Sequence, residues 1–139
     1  MSAPNSKILL VEDSKFLSLA NERVLTKAGY QVTVAPDGEE ALRVALKELP
    51  DVILLDMMLP KLSGPDVLRK LKESPATSSI PVIVLTSLSR KNEEKLMQEG
   101  AAAYFEKSAL DLDKNSDRLA ATVENVLYRI KQQKQRGQS

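Results

Sequence analysis

Short apolar runs alternate with stretches of helical periodicity along nearly the whole chain. Lys7-Ile-Leu-Leu-Val-Glu12 is apolar and ends in acid. Leu17, Ala20, Val24 and Ala28 recur at helical spacing, which predicts a helix over 14–28 that Gly29 stops. Gln31 to Ala35 alternates, with Val32 and Val34 on one face, as in a half-exposed edge strand. Asp37-Gly-Glu-Glu40 reads as an N-cap with a capping-box partner. The helix after it turns Leu42, Ala45, Leu46 and Leu49 inward and ends at Pro50. Asp51-Val-Ile-Leu-Leu-Asp56 is a buried strand, again ending in acid, and a helix over 63–73 follows with Val67, Leu68 and Leu71 inward. Pro81 to Thr86 is another apolar strand. A helix with a weak apolar face is expected over 91–99, closed by Gly100. A short last strand spans 103–106, and a final helix lies within 112–133.

Five strands alternating with five helices imply an α/β domain whose strands pair in parallel through right-handed crossovers. The runs at 8–11, 52–55 and 82–85 carry no polar residue, as expected for strands covered on both faces. One domain over 6–132 is expected, followed by a polar basic tail over 133–139 that frays from about Gln132.

Composition narrows the chemistry. With 139 residues, 42% hydrophobic and 28% charged, the chain is long enough for one buried core and is not of disordered type. There is no cysteine and no histidine. Disulfides, thiol nucleophiles, imidazole bases and His-rich zinc sites are therefore excluded within the chain. The missing cysteines and the absence of a basic-then-apolar leader over 1–6 suit a cytoplasmic address, and no run is long enough to span a membrane. Net charge is −3 up to Glu124 and +4 after it, where Arg129, Lys131, Lys134 and Arg136 stand without acids. That tail suits a solvated helix end favoured by the helix dipole, and direct nucleic-acid binding is not expected.

Polar residues collect where an open parallel sheet carries function, at the carboxyl ends of its strands. Glu12 and Asp13 follow the first strand, Asp56 ends the third, Thr86-Ser87 ends the fourth, and Lys107 follows the fifth. With a strand order of 2-1-3-4-5, Glu12, Asp13 and Asp56 converge on one crevice, with Thr86 and Lys107 beside them. Three converging carboxylates repel, and a hard cation such as magnesium (Mg2+), or manganese (Mn2+), resolves this with oxygen ligands. One carboxylate can then act as a nucleophile toward phosphorus, with a lysine and a hydroxyl for the phosphoryl oxygens.

These residues carry a resemblance to a known family. Val11-Glu12-Asp13-Ser14, then Asp56-Met57-Met58-Leu59-Pro60 with Gly64 eight positions after the aspartate, Val84-Leu85-Thr86-Ser87, and Gly100-Ala101-Ala102-Ala103-Tyr104 leading to Lys107 resemble the receiver domains of two-component response regulators, single-domain chemotaxis proteins included. The resemblance covers about residues 6–132. It implies a flavodoxin-like (βα)5 fold, with a five-stranded parallel sheet of order 2-1-3-4-5 and helices on both faces. It implies Asp56 as phosphoacceptor, Asp13 as a direct Mg2+ ligand, Glu12 acting through water and the Met58 carbonyl as a further ligand. Thr86 corresponds to the switch hydroxyl, Lys107 to the phosphoryl-pairing lysine, Tyr104 to the aromatic switch and Ser87 to the small residue that admits the phosphoryl group. A packed edge-strand role for Tyr104 and a core-filling role for Met58 remain the plainer alternatives.

The chain departs from the family pattern at Ser108, where proline usually follows the lysine. A non-proline cis bond costs about 3 kcal/mol, so a trans bond and a shifted loop are expected there. Met58 and Leu88 occupy the lips of the site, where two apolar residues should hinder attacking water. The implied partners are a sensor histidine kinase or phosphotransfer protein, a downstream output protein, and by analogy a second copy through the face of the fourth helix, fifth strand and fifth helix. Enzymatic activity is expected only on the receiver itself. Three other readings share parts of the pattern. A flavodoxin-like cofactor module needs hydroxyls and glycines where Glu12-Asp13-Ser14-Lys15 is acidic. An aspartyl-phosphate hydrolase needs a second acid where Met58 stands. A phosphorylation-independent interaction module would have little use for the intact set of site residues.

Overall fold

The computed structural model describes residues 6–57, 59, 61–86, 97–98, 100–106 and 112–137, without the side chains of 86, 106, 112–117 and 133–137. Five strands, β1 (Lys7–Val11), β2 (Gln31–Ala35), β3 (Val52–Asp56), β4 (Val82–Thr86) and β5 (Ala103–Glu106), form one parallel sheet of order β2-β1-β3-β4-β5. Between and after them run α1 (Lys15–Lys27), α2 (Gly38–Glu48), α3 (Gly64–Glu73) and α4 (Leu112–Gly137). The helix expected over 91–99 lies almost wholly outside the described residues, and Met97 and Gln98 are helical. None of the described helices is long and apolar enough to cross a membrane.

Strand alternation splits the core in two. Leu9, Val11, Ile53, Leu55, Val82 and Val84 pack on one face of the sheet with Ala41, Val44 and Ala45 of α2 and Val67, Leu68 and Leu71 of α3. Ile8, Leu10, Val52, Leu54, Ile83 and Leu85 pack on the other with Leu25 of α1 and Leu119, Val123 and Val126 of α4. The uninterrupted apolar runs are thus strands buried on both faces. β2, at an edge, is only partly covered.

The capping signal at Asp37 holds in part, and two serines cap the other helices. Ser14, Asp37 and Ser63 cap α1, α2 and α3 and accept from the Leu17, Glu40 and Asp66 amides. Asp37 does cap α2, but the Glu40 side chain pairs with Arg43 and leaves the reciprocal half of the capping box unmade. Past α1, Gly29 takes φ of +103°, which ends the helix without the strain a Cβ would add.

The buried faces differ in detail from the expected ones. In α1 the buried residues are Ser18 and Leu25, so the inward face is turned by about one residue from Leu17, Ala20, Val24 and Ala28. Ser18 tolerates burial because its hydroxyl donates to the Lys15 carbonyl. In α2, Leu46 and Leu49 are exposed, against the sequence reading. Ala41, Val44 and Ala45 centre the inward stripe and leave Leu46 at its rim. Leu49 adopts the left-handed region (φ 48°, ψ 64°), since the following Pro50 disfavours helical backbone there, and this turns the side chain outward. At the far end of the chain, α4 continues to Gly137, through the segment expected to fray.

Candidate functional site

The carboxyl ends of β1 and β3 lie side by side because these strands pair in parallel, Val11 against Leu55. Glu12 leaves β1 still bonded to the sheet, its amide donating to the Ala35 carbonyl. Asp56 closes β3 opposite Leu85, and the Met57 amide donates to the Leu85 carbonyl. This register brings carboxylate oxygens of Glu12, Asp13 and Asp56 within 4.8 Å of one another. Glu12 and Asp56 are buried, 2% and 3% exposed, while Asp13 opens to solvent. The Glu12 carboxylate also accepts from the Ser14 amide, which ties it to the cap of α1.

Electrostatics decides what such a cluster is for. Two full charges about 5 Å apart repel by roughly 3 kcal/mol at an effective dielectric of about 20. Three of them, two buried, call for a positive charge between them. An all-carboxylate, partly open donor set fits a hard divalent cation that keeps some of its water, as magnesium and manganese do.

β4 ends at Thr86, one residue beyond the Leu85 that pairs with Asp56, and Thr86 pairs with Glu106 of β5. The backbone at Thr86 therefore stands on the strand beside Asp56. Tyr104 pairs with Val84 and packs, half-buried, on the core between the sheet and α2 and α3. Met58, Ser87, Leu88 and Lys107, and the Lys107–Ser108 bond, lie outside the described residues.

The loop after Asp56 is held from three directions. The Gly64 amide donates to the Met57 carbonyl, at 3.3 Å. Gly64 packs so closely that a Cβ there would meet Met57 Cα at 2.5 Å and the Asp56 carbonyl oxygen at 2.7 Å. Leu59 and Leu62 pack on the core. Lys61 holds a left-handed backbone (φ 68°), which costs a non-glycine residue about 1 kcal/mol, and its ammonium lies 3.6 Å from the Asp37 carboxylate. Asp37 is held below the ordinary carboxylate range, chiefly by the Glu40 amide and further by Lys61, against partial burial. The sequence reading found Asp37 and Gly38 only as a helix start and Gly64 only as a family mark. Lys61 gave no signal at all.

Comparison with known proteins identifies the family. The family model for the response regulator receiver domain matches residues 8–120. The chain is 38% identical over 107 residues to response regulator PleD of Caulobacter vibrioides, covering 77% of this chain and 24% of PleD, so it spans about a quarter of that relative's length. Among solved structures, the receiver domain of the Francisella response regulator 1452 superposes with a TM-score of 0.80 at 30% identity, over 90% of this chain and 98% of that one. The Mn(2+)-bound form of response regulator Rcp1 gives a TM-score of 0.74 at 30% identity, over 84% and 90%.

Proposed function

Because this chain belongs to the family of response regulator receiver domains, the receivers of two-component systems, we propose that Asp56 accepts a phosphoryl group from a sensor histidine kinase or a phosphotransfer protein, and that the modification switches a partner-binding surface. The observation that carries this reading is the gathering of Glu12, Asp13 and Asp56 within 4.8 Å at the ends of β1 and β3. Receivers of this family work with histidine kinases and output domains in general. Beyond phosphoryl transfer to and from itself, we assign the chain no enzymatic activity.

Asp13 and Asp56 would hold a magnesium or manganese ion directly, Glu12 through water, and the Met58 carbonyl would complete the protein's share. The ion supplies charge neutralisation, which lets an anionic donor approach three carboxylates. The rest falls to side chains. An Asp56 carboxylate oxygen attacks phosphorus in line with the bond to the donor's imidazole nitrogen. That P–N bond breaks, the imidazole leaves with its electron pair and takes a proton, and Asp56 becomes an acyl phosphate. Burial of Asp56 favours the step, since positioning and charge compensation supply most of its acceleration. Lys107 pairs with one phosphoryl oxygen and Thr86 with another, and Ser87 leaves room for the group.

The phosphoryl group adds charge and acceptor oxygens that the free carboxylate lacks. Thr86 and Lys107 gain a partner, Tyr104 moves further inward, and the surface of β5, α4 and the helix expected over 91–99 changes. That face is the one we propose for an output partner or a second copy of the chain. Met58 and Leu88, at the mouth, slow the entry of hydrolytic water. We place the receiver over 6–132, with 133–139 as a basic extension, and in the cytoplasm, where kinase and magnesium are both at hand.

The test is intact mass after incubation with acetyl phosphate and magnesium. The wild-type protein gains one phosphoryl group, and Asp56→Asn gains none. A gain that survives Asp56→Asn contradicts the assignment. No gain in the wild type favours a receiver that acts as an interaction module without phosphorylation.

A further inference from the structure

The loop between β3 and α3 has a second set of anchors, on α2, a helix that contributes no group to the acidic cluster. Gly38, the first residue of α2, lies against Leu62, and a Cβ there would meet the Leu62 carbonyl oxygen at 2.5 Å and its Cβ at 2.8 Å. Next to it, Asp37 is 15% exposed and pairs with Lys61. Lys61 holds a left-handed backbone that glycine or asparagine would adopt more easily. The Asp37 pair gives a reason for a lysine there, since its side chain carries the charge that meets Asp37. Leu62 and Lys61 stand within six residues of Asp56, and the same loop closes onto Met57 through the Gly64 amide.

We propose that Asp37, Gly38 and Lys61 are positioning residues that tie the amino end of α2 to the loop after Asp56 and so set how tightly the carboxylate cluster holds its divalent cation. This rests on the reading of Asp56 given above. The tie acts on the loop backbone rather than on the cation. Glu12 and Asp13 come from β1 and its end and Asp56 from β3, and the loop follows Asp56 directly through Met57, whose carbonyl accepts the Gly64 amide. A loop free to drift lets the end of β3 shift and moves the Asp56 carboxylate relative to Glu12 and Asp13. By linkage, cation uptake strengthens the tie by the same factor that the tie strengthens uptake.

The experiment uses three variants of the full chain and magnesium as the probe. Asp37→Asn keeps a side-chain oxygen to cap α2 but loses the charge. Lys61→Met removes the ammonium, and Lys61→Gly removes it while easing the left-handed turn. Magnesium is titrated by calorimetry at low salt, and exchange of the Gly64 amide is followed by NMR without metal. Each variant weakens magnesium binding by about threefold to fivefold, the range of a partly exposed ion pair. The double variant Asp37→Asn with Lys61→Met is no weaker than either single one, because both remove the same interaction. Gly64 exchanges faster in all of them, and magnesium slows that exchange in the wild type. Wild-type magnesium affinity in Asp37→Asn and Lys61→Met overturns the proposal. So do additive losses in the double variant, or recovery of affinity in Lys61→Gly. A wild-type protein that takes up no magnesium refutes the reading of Asp56 instead, and the tie then stands or falls on Gly64 exchange alone.

Discussion

Gly64→Ala is the smallest change that should reach the phosphoacceptor through the backbone. The added Cβ would lie 2.5 Å from Met57 Cα, 2.7 Å from the Asp56 carbonyl oxygen and 2.8 Å from Met57 Cε. The Met57 side chain is flexible and can yield, but the two backbone atoms belong to the end of β3 and the turn after it. Restoring an ordinary contact of 3.4 Å from 2.5 Å needs a shift of about 0.9 Å. Position 64 has no positive φ, so the penalty is steric alone. Overpacking of this kind costs about 1–3 kcal/mol. Alanine offsets up to about 1 kcal/mol of it through helix propensity, and less than that at a first helical residue. The net loss is roughly 1–2 kcal/mol, or a fall in Tm of several degrees. The functional loss is larger, because a misplacement near 1 Å at a reacting group costs up to about 100-fold in rate. The assay is the rate of phosphoryl gain with acetyl phosphate and saturating magnesium, read by mass, beside a thermal melt. Val123→Ala serves as the comparison. Val123 is buried on the other face of the sheet, so its truncation lowers Tm while the rate stays near wild type. A Gly64→Ala protein with wild-type rate and wild-type Tm refutes the reasoning.

Other consequences are simpler to state. Met58→Asn should shorten the lifetime of the acyl phosphate several-fold in the absence of any phosphatase, and unchanged decay kinetics count against shielding by this residue. Asp37 has a folded pKa below its unfolded value of about 3.9, so it stabilises the fold above that pH and loses this contribution as pH falls through the folded value. Urea unfolding of Asp37→Asn should therefore show a shallower loss of stability below about pH 4 than the wild type, and identical acid limbs would contradict the role given to its charge.

The parallel sheet was legible because its buried strands are apolar without interruption, and the acids that follow Val11 and end β3 were legible because they break those runs. Strand order then brings Glu12, Asp13 and Asp56 together, since β1 and β3 must be neighbours for the acids to meet. Helix faces were less legible. Ser18 is buried although polar, because a bond to its own helix satisfies the hydroxyl, and hydropathy does not carry that information. Leu49 looked like the last inward residue of α2, but the αL turn before Pro50 depends on backbone geometry rather than on the side-chain pattern. Lys61 stayed hidden for a similar reason. Its role depends on a left-handed φ and on a contact 24 positions away in the chain. Residues that act through side-chain type were visible; among those that act through backbone conformation, Gly29 was visible as a helix stop, while Leu49 and Lys61 were not.

The claim beneath all of this is that the three carboxylates at the ends of β1 and β3 act as one divalent-ion site. A calorimetric titration of the wild-type protein and of Asp13→Asn with magnesium chloride addresses it directly. The account predicts uptake of one ion by the wild type at millimolar concentration or below, and a loss of most of that affinity in Asp13→Asn. No heat of binding in the wild type, or equal affinity in the variant, would contradict it.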